Sequence, residues 1–248
     1  MNIALIGYGK MGKMIETIAV ERGHEVVLKI DVDNLSDFTQ DNFAKAHVAI
    51  EFTNPETAFE NIARCIEFGT AIVSGSTGWF NRLEEMKDLC TKHNGTMLCA
   101  SNFSLGVNIF FEINRQLARI MNRCPEYSVE IEEIHHTQKK DAPSGTAITL
   151  AEGIIEEITR FEKWELDPVE DWGKTRQYNR PRTPIRAIRK DSVPGTHHVK
   201  YSSEIDDIEL IHTAHSRKGF ALGAVLAAEY VCNKKGVFTM KDVLMIND

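Results

Sequence analysis

The chain has 248 residues, 42% of them hydrophobic, enough to fill the core of one large domain or two modest ones. Its formal charge of -7 is spread without a long acidic or basic block, which gives no footprint for binding nucleic acid or an anionic membrane. No apolar run approaches the roughly 18 residues of a bilayer span, and the N-terminus opens on a strand rather than a cleavable signal, so a cytoplasmic protein is expected.

Residues 2–6 form a short apolar run that meets Gly7, and Met11, Met14, Ile15, Ile18 and Ala19 then recur at helical spacing until Gly23. A second apolar run, 25–30, ends at Asp31 and completes a βαβ unit of the expected length. Strand-like 46–52, helix-like 55–68, strand-like 70–74, helix-like 81–92 and strand-like 96–100 follow in alternation. That grammar predicts a Rossmann-type, doubly wound parallel sheet covered on both faces, over residues 1–104.

After Ser104 the pattern changes. A long helix, about 105–122, precedes a strand from Tyr127, a helix begins near Ser144, and strands at 185–190, 196–202 and 207–214 have no helices between them. An α+β domain with an open mixed or antiparallel sheet is expected for 105–217. The polar stretch 161–184, with Pro168, Pro181 and Pro184, reads as a long surface loop, and a last apolar helix, 220–232, is free by pattern to pack on either domain.

In Gly7-Tyr8-Gly9-Lys10-Met11-Gly12 the first glycine permits a tight bend, the second lets backbone approach a pyrophosphate, and the third allows close packing of helix on strand. The helix beginning there aims free N–H groups and its positive dipole end at the phosphates. Nineteen residues after Gly12, Asp31 is placed to accept hydrogen bonds from the adenosine ribose and to repel a 2′-phosphate. NADH is therefore the expected cofactor, with NADPH as an alternative if Lys29 or Lys10 reaches the phosphate. Gly75-Ser76-Thr77-Gly78 and Ala100-Ser101-Asn102-Phe103 end later strands along the same crevice, although spacing does not separate that role from ordinary loop chemistry.

The densest chemistry lies in Glu133-Ile-His135-His136-Thr-Gln-Lys139-Lys140-Asp141-Ala-Pro143-Ser144-Gly145-Thr146. Two imidazoles and two ammonium groups precede a helix N-terminus, an arrangement suited to an anionic substrate that must also receive a proton. Solvated histidines at a strand end would read the same way by spacing alone. No metal is expected, because the histidines and carboxylates lack zinc-ligand spacing. The five cysteines, Cys65, Cys90, Cys99, Cys124 and Cys232, contain no CxxC pair and indicate no disulfide framework. His197-His198 and His212 with His215 are read as structural or rim residues, and Arg217 is given no site role.

The run from Glu133 to Ala147 resembles the signature of the dihydrodipicolinate reductase (4-hydroxy-tetrahydrodipicolinate reductase) family of the diaminopimelate route to lysine. The resemblance extends through the loop at 75–78, Asn102-Phe103-Ser104 with Gly106-Val107-Asn108, Ser216-Arg217, Phe220-Ala221 and Gly223-Ala224. It implies His135 as general acid/base, Lys139 as second proton donor and substrate contact, and His136, Gly145 and Thr146 as further substrate contacts. It implies cofactor contacts from 7–12, Asp31, 75–77 and 100–103, a small dicarboxylate substrate, a homotetramer joined through the second domain's sheet, and a C-terminal segment, 218–248, returning to the nucleotide domain. Most members carry Gly-x-x-Gly-Arg-Met-Gly in the first turn, and here a shorter turn places Lys10 where they have arginine. Two rival readings are another Rossmann dehydrogenase, such as an aspartate dehydrogenase or a sugar oxidoreductase, and a non-catalytic NAD-sensing protein. The intact His-His to Gly-Thr run opposes the first, and retention of His135 and Lys139 opposes the second.

Overall fold

The structure, a computed structural model, describes residues 1–167 and 181–246. The chain divides into two compact units, one formed by 1–105 with the described residues from Lys218 onward, the other by 106–217.

The first unit is built on a six-stranded sheet. Its strands are β1 (Asn2–Ile6), β2 (Glu25–Ile30), β3 (Val48–Glu51), β4 (Ala71–Ser74), β5 (Thr96–Cys99) and β11 (Gly236–Phe238), in the order β11-β5-β4-β3-β1-β2. Every pairing is parallel. Strands buried on both faces need continuous apolar sequence, and Ile3 to Ile6 and Val48 to Ile50 supply it. Helices α1 (Lys10–Glu21) and α7 (Lys218–Val231) share one apolar cluster with the sheet. A second cluster draws on α3 (Pro55–Glu67) and α4 (Leu83–Lys92) together with Phe43 of the single turn α2 (Gln40–Phe43).

Helix α7 joins this unit through a face of small residues, Ala221, Gly223, Ala224, Ala227 and Ala228, all buried. A Cβ at Gly223 would lie 1.7 Å from the Phe103 carbonyl oxygen, so helix and chain meet backbone to backbone. Glu229 then accepts a two-pronged pair of hydrogen bonds from Arg22, at 2.7 and 2.8 Å. Beyond α7 the chain adds β11 at the sheet edge and the short α8 (Met240–Val243), neither of which the hydrophobic pattern predicts.

The second unit carries a five-stranded sheet ordered β10-β9-β6-β8-β7, from β6 (Ser128–His135), β7 (Lys163–Leu166), β8 (Arg182–Arg189), β9 (Gly195–Ser202) and β10 (Asp207–Ala214). The sheet is mixed: β6 is parallel to β8 and antiparallel to β9, and β9 is antiparallel to β10. Helices α5 (Leu105–Met121) and α6 (Gly145–Glu157) pack on one face around Ile131, Ile185, Val199 and Tyr201.

The expected loop 161–184 is corrected where it is described. Lys163–Leu166 is an edge strand, and β8 begins at Arg182, pairing Lys163↔Arg182 to Leu166↔Ile185. The loop reading disfavoured strand because of Pro184, which β8 accommodates just before its pairing with β6 begins at Ile185. The remainder, 168–180 with Pro168, lies outside the described residues.

Candidate active site

At the carboxyl edge of the parallel sheet, Gly7 donates its N–H to the Ile30 carbonyl at 2.8 Å and turns with φ +88. A Cβ there would lie 2.1 Å from the Phe52 carbonyl oxygen, and one at Gly12 would lie 2.3 Å from the Gly7 oxygen. Gly9, the residue before α1, has nothing within 4 Å of its missing Cβ and no side chain capping the helix. Two of the glycines thus satisfy internal packing, while the third leaves open space in front of uncapped helix N–H groups, which suits a pyrophosphate. The strand order reverses between β1 and β3, and ligands bind at such a switch point.

Tyr8, beside Gly9, donates its hydroxyl to Glu16. Lys29 places its ammonium 2.6 Å from the same carboxylate and 4.8 Å from the Tyr8 ring centroid. The hydrogen bond from Lys29, with that from Tyr8, holds Glu16 below the usual carboxylate range. Lys10 is exposed at the start of α1. Asp31 follows β2 directly and accepts the Val32 N–H at 3.0 Å.

Glu51, at the end of β3, organises the adjoining loops although no sequence signal singles it out. It is fully buried and accepts hydrogen bonds from the Thr53 N–H and the Ser76 hydroxyl, both at 2.8 Å, and from the hydroxyls of Thr53 and Ser74. This carboxylate fixes where Gly75, Ser76 and Thr77 leave β4. Of the 100–103 segment, Ala100, Ser101 and Asn102 retain exposure, whereas Phe103 buries its ring against Phe52, 5.8 Å between centroids. At this edge Phe103 offers backbone only.

In the second unit the sequence-predicted residues gather where β6 ends and α6 begins. His135 closes β6, His136 and Lys139 follow, and Ser144 accepts the Ala147 N–H to cap the helix that starts with Gly145 and Thr146. No atom lies within 4 Å of a Cβ built on Gly145, so its backbone is open to a ligand. The His136 Nδ1 is buried with no hydrogen-bond partner among the described residues. Lys139 is paired with Asp141 at 2.7 and 2.9 Å, and it holds that carboxyl low even though burial alone would raise it.

Three residues without an assigned role complete this cluster. Glu133, fully buried on the same face of β6 as His135, accepts the Ser144 N–H at 3.0 Å and a guanidinium N–H of Arg189 at 3.1 Å. Arg189 also donates to the carbonyls of Lys139 (3.3 Å) and Asp141 (2.5 Å), fastening the 139–141 loop onto the sheet. His197 lies across from Glu133 on β9, its Nε2 3.2 Å from the Ser144 hydroxyl oxygen, and its ring is 5.1 Å from that of His135. Of the two readings of His197, structural or rim, its burial fits the structural one, and its place is inside the candidate site. The alternation that placed it in a strand carries no information about which strand lies opposite.

Burial alone would raise the Glu133 carboxyl. The His135 ring, its Nδ1 3.3 Å from Oε2, together with hydrogen bonds from Ser144 and Arg189, outweighs that and holds it at about 2. Burial, with the nearby charge of His135, pushes His197 down to about 3. Glu133, His135 and His197 bring ligand-type atoms within 4.8 Å of one another. With Arg189 already on the carboxylate and the Ser144 amide on its other oxygen, the cluster suits proton handling better than a metal ion.

Comparison with known proteins agrees over the whole length. The sequence profile for the N-terminus of dihydrodipicolinate reductase matches residues 1–103, and that for its C-terminus matches 106–244. A 4-hydroxy-tetrahydrodipicolinate reductase of Christiangramia forsetii is 50% identical over 98% of both chains, and one of Thermosipho africanus is 31% identical over 98% of both. Among solved structures, a dipicolinate-bound dihydrodipicolinate reductase from Paenisporosarcina sp. TG-14 superposes with a TM-score of 0.78. It shares 22% identity, over 96% of this chain and 97% of its own.

Proposed function

Since the chain belongs to the dihydrodipicolinate reductase family, and is thereby a pyridine-nucleotide-dependent oxidoreductase, we propose that it converts the cyclic imine dicarboxylate 4-hydroxy-tetrahydrodipicolinate, with one hydride and one proton, to tetrahydrodipicolinate and water, the 4-hydroxyl being the oxygen lost, in lysine and diaminopimelate biosynthesis. The observation that carries the residue assignments is the convergence of His135, Lys139 and the N-terminus of α6 on one end of the mixed sheet. A dianionic substrate needs positive charge and N–H donors, and its reduction needs a proton source.

A bound nicotinamide would supply the hydride; Gly7 to Gly12 would hold the pyrophosphate, Asp31 the adenosine ribose, and residues 75–77 and 100–103 the nicotinamide end. His135 delivers the proton to the ring carbon beside the one that receives the hydride, as the resulting enamine returns to the imine. Lys139 exchanges Asp141 for a substrate carboxylate and offsets negative charge developing in the ring, while His136, Gly145 and Thr146 orient the second carboxylate.

NADH is the preferred cofactor in this reading. Asp31 repels a 2′-phosphate, and Lys29, the cation that would attract one, is already committed to Glu16 and Tyr8. The protein acts in the cytoplasm as a homotetramer joined through the second unit's sheet; no helix among the described residues is long and apolar enough to cross a membrane.

The test follows NADH oxidation with freshly made dihydrodipicolinate synthase product, for the wild type, His135→Gln and Lys139→Ala, and repeats the wild type with NADPH. Each substitution is expected to lower kcat by about 100-fold or more, the scale of a lost general acid, with NADH binding intact. The wild type is expected to favour NADH in kcat/KM. No turnover by a wild type that binds NADH normally would sink the substrate assignment. Mild effects of both substitutions would sink the residue roles, and equal efficiencies would sink the charge argument.

A further inference from the structure

A histidine that must deliver a proton from one ring nitrogen has to be held in one tautomer by a partner on the other. His135 sits two residues after Glu133 on the same face of β6; its buried Nδ1 makes no aligned hydrogen bond with any described residue, and the polar atom it faces is the Glu133 Oε2, 3.3 Å away. That carboxylate is anchored by bonds that do not involve His135: the Ser144 N–H on Oε2 and Arg189 on Oε1. On the opposite side of the ring, a Cβ at residue 195 would lie 3.1 Å from the His135 Nε2, and Gly195 leaves that place vacant.

We propose that Glu133 is a positioning residue for the reduction: it accepts the Nδ1–H of His135, fixes the imidazole's tautomer and plane, and leaves Nε2 as the one atom from which the proton is delivered. The inference rests on His135 being the proton donor.

The surroundings decide how the carboxylate's charge is used. The charged and titratable groups around His135 are Glu133 on β6, Arg189 on β8, His197 on β9, and Lys139 with Asp141 in the loop, while His212 on β10 lies beyond His197. His197 also faces Glu133, its Nε2 3.9 Å from Oε2, and would compete for the same negative charge if it were protonated. Burial keeps it neutral down to about pH 3, and burial also lowers His212. His197 therefore packs edge-on beside His135 as an uncharged spacer, which leaves the Glu133 Oε2 to His135 and the Ser144 N–H. Arg189 compensates the carboxylate, so the buried pair carries no net charge until His135 takes its proton.

A ring free to turn presents its proton to the substrate less often without weakening binding, so Glu133→Gln is expected to lower kcat about tenfold at an unchanged KM and an unchanged Kd for NADH.

The deciding experiment pairs two measurements. Nitrogen-15 spectra of histidine-labelled wild type, without ligands, report which ring nitrogen of neutral His135 carries the proton, with His135→Gln identifying the signal. The values of kcat and KM are then compared between wild type and Glu133→Gln. The proposal expects hydrogen on Nδ1, together with a kcat about tenfold lower at an unchanged KM and Kd for NADH. Hydrogen on Nε2 in the wild type overturns it, as does a folded Glu133→Gln whose kcat does not fall. Reading the tautomer requires neither substrate nor the Glu133→Gln variant, so it tests Glu133 even if the assigned substrate fails.

Discussion

Glycines 7, 9 and 12 lack side chains for different reasons, and that difference can be measured. Alanine at Gly7 would force a left-handed backbone on a residue with a Cβ and drive that atom into the Phe52 carbonyl. A loss of about 3 kcal/mol in stability is expected, read by chemical denaturation. Gly9 has φ -77 and ψ -151, open to alanine, with empty space around its Cβ position. Gly9→Ala should keep the fold's stability within about 1 kcal/mol and weaken NADH binding about tenfold or more, because the new methyl occupies the phosphate's approach. Equal affinity in Gly9→Ala would remove Gly9 from the pyrophosphate site. The glycine turn was legible in the sequence because its geometry is local, contained in six residues. Glu133, His197 and Arg189 were not legible as a group, because β6, β9 and β8 bring them together from positions up to 64 residues apart, and no periodicity specifies which strands pair. Glu51 is the parallel case in the first unit: a carboxylate ending an apolar strand shows its purpose only when the hydroxyls of Ser74 and Ser76 arrive from the next strand.

Among elements, the contact of α5 with α6 shows which of several visible interactions matters. Asn114 is buried and donates from its amide to the Leu150 carbonyl at 3.0 Å. On the surface, Arg115 and Arg119 pair with Glu156 and Glu157 across the same helices. Exposed pairs contribute about 0–1 kcal/mol each, whereas losing a buried hydrogen bond and leaving a cavity costs about 1–3 kcal/mol. Asn114→Ala should therefore lower unfolding stability more than Arg119→Ala does, and the reverse order in parallel urea titrations would refute this ranking. The long helices were legible in the sequence because their apolar residues recur at helical spacing, whereas the four-residue α2 and α8 are too short to show it. Strands β7 and β11 were not. One spans four residues at a sheet edge, with Lys163 and Glu165 pointing away from the core, and the other spans three, so neither accumulates enough alternation to be read.

For the whole molecule, the proposed tetramer depends on the face of the mixed sheet turned away from α5 and α6. Its cross-strand rows include Arg186, Glu132, His198 and Ile211, flanked by Lys200 and Glu209. The charges are largely matched within the face: Arg186 lies 3.1 Å from Glu132, and Lys200 lies 2.8 Å from Asp207 and 3.4 Å from Glu209. A face with its charges paired and Ile211 58% exposed costs less to desolvate than an ordinary charged surface, and a second copy would supply the missing apolar cover. In a symmetric assembly one substitution is repeated in every copy. Ile211→Glu places a carboxylate beside Glu209 and the same group of the facing chain, and burying such unpaired charge costs several kcal/mol. Light scattering on the purified protein is expected to give the mass of four chains for the wild type and a smaller species for Ile211→Glu, with the circular dichroism spectrum unchanged. A monomeric wild type at micromolar concentration would end the tetramer proposal. A tetramer that survives Ile211→Glu would move the interface to another surface.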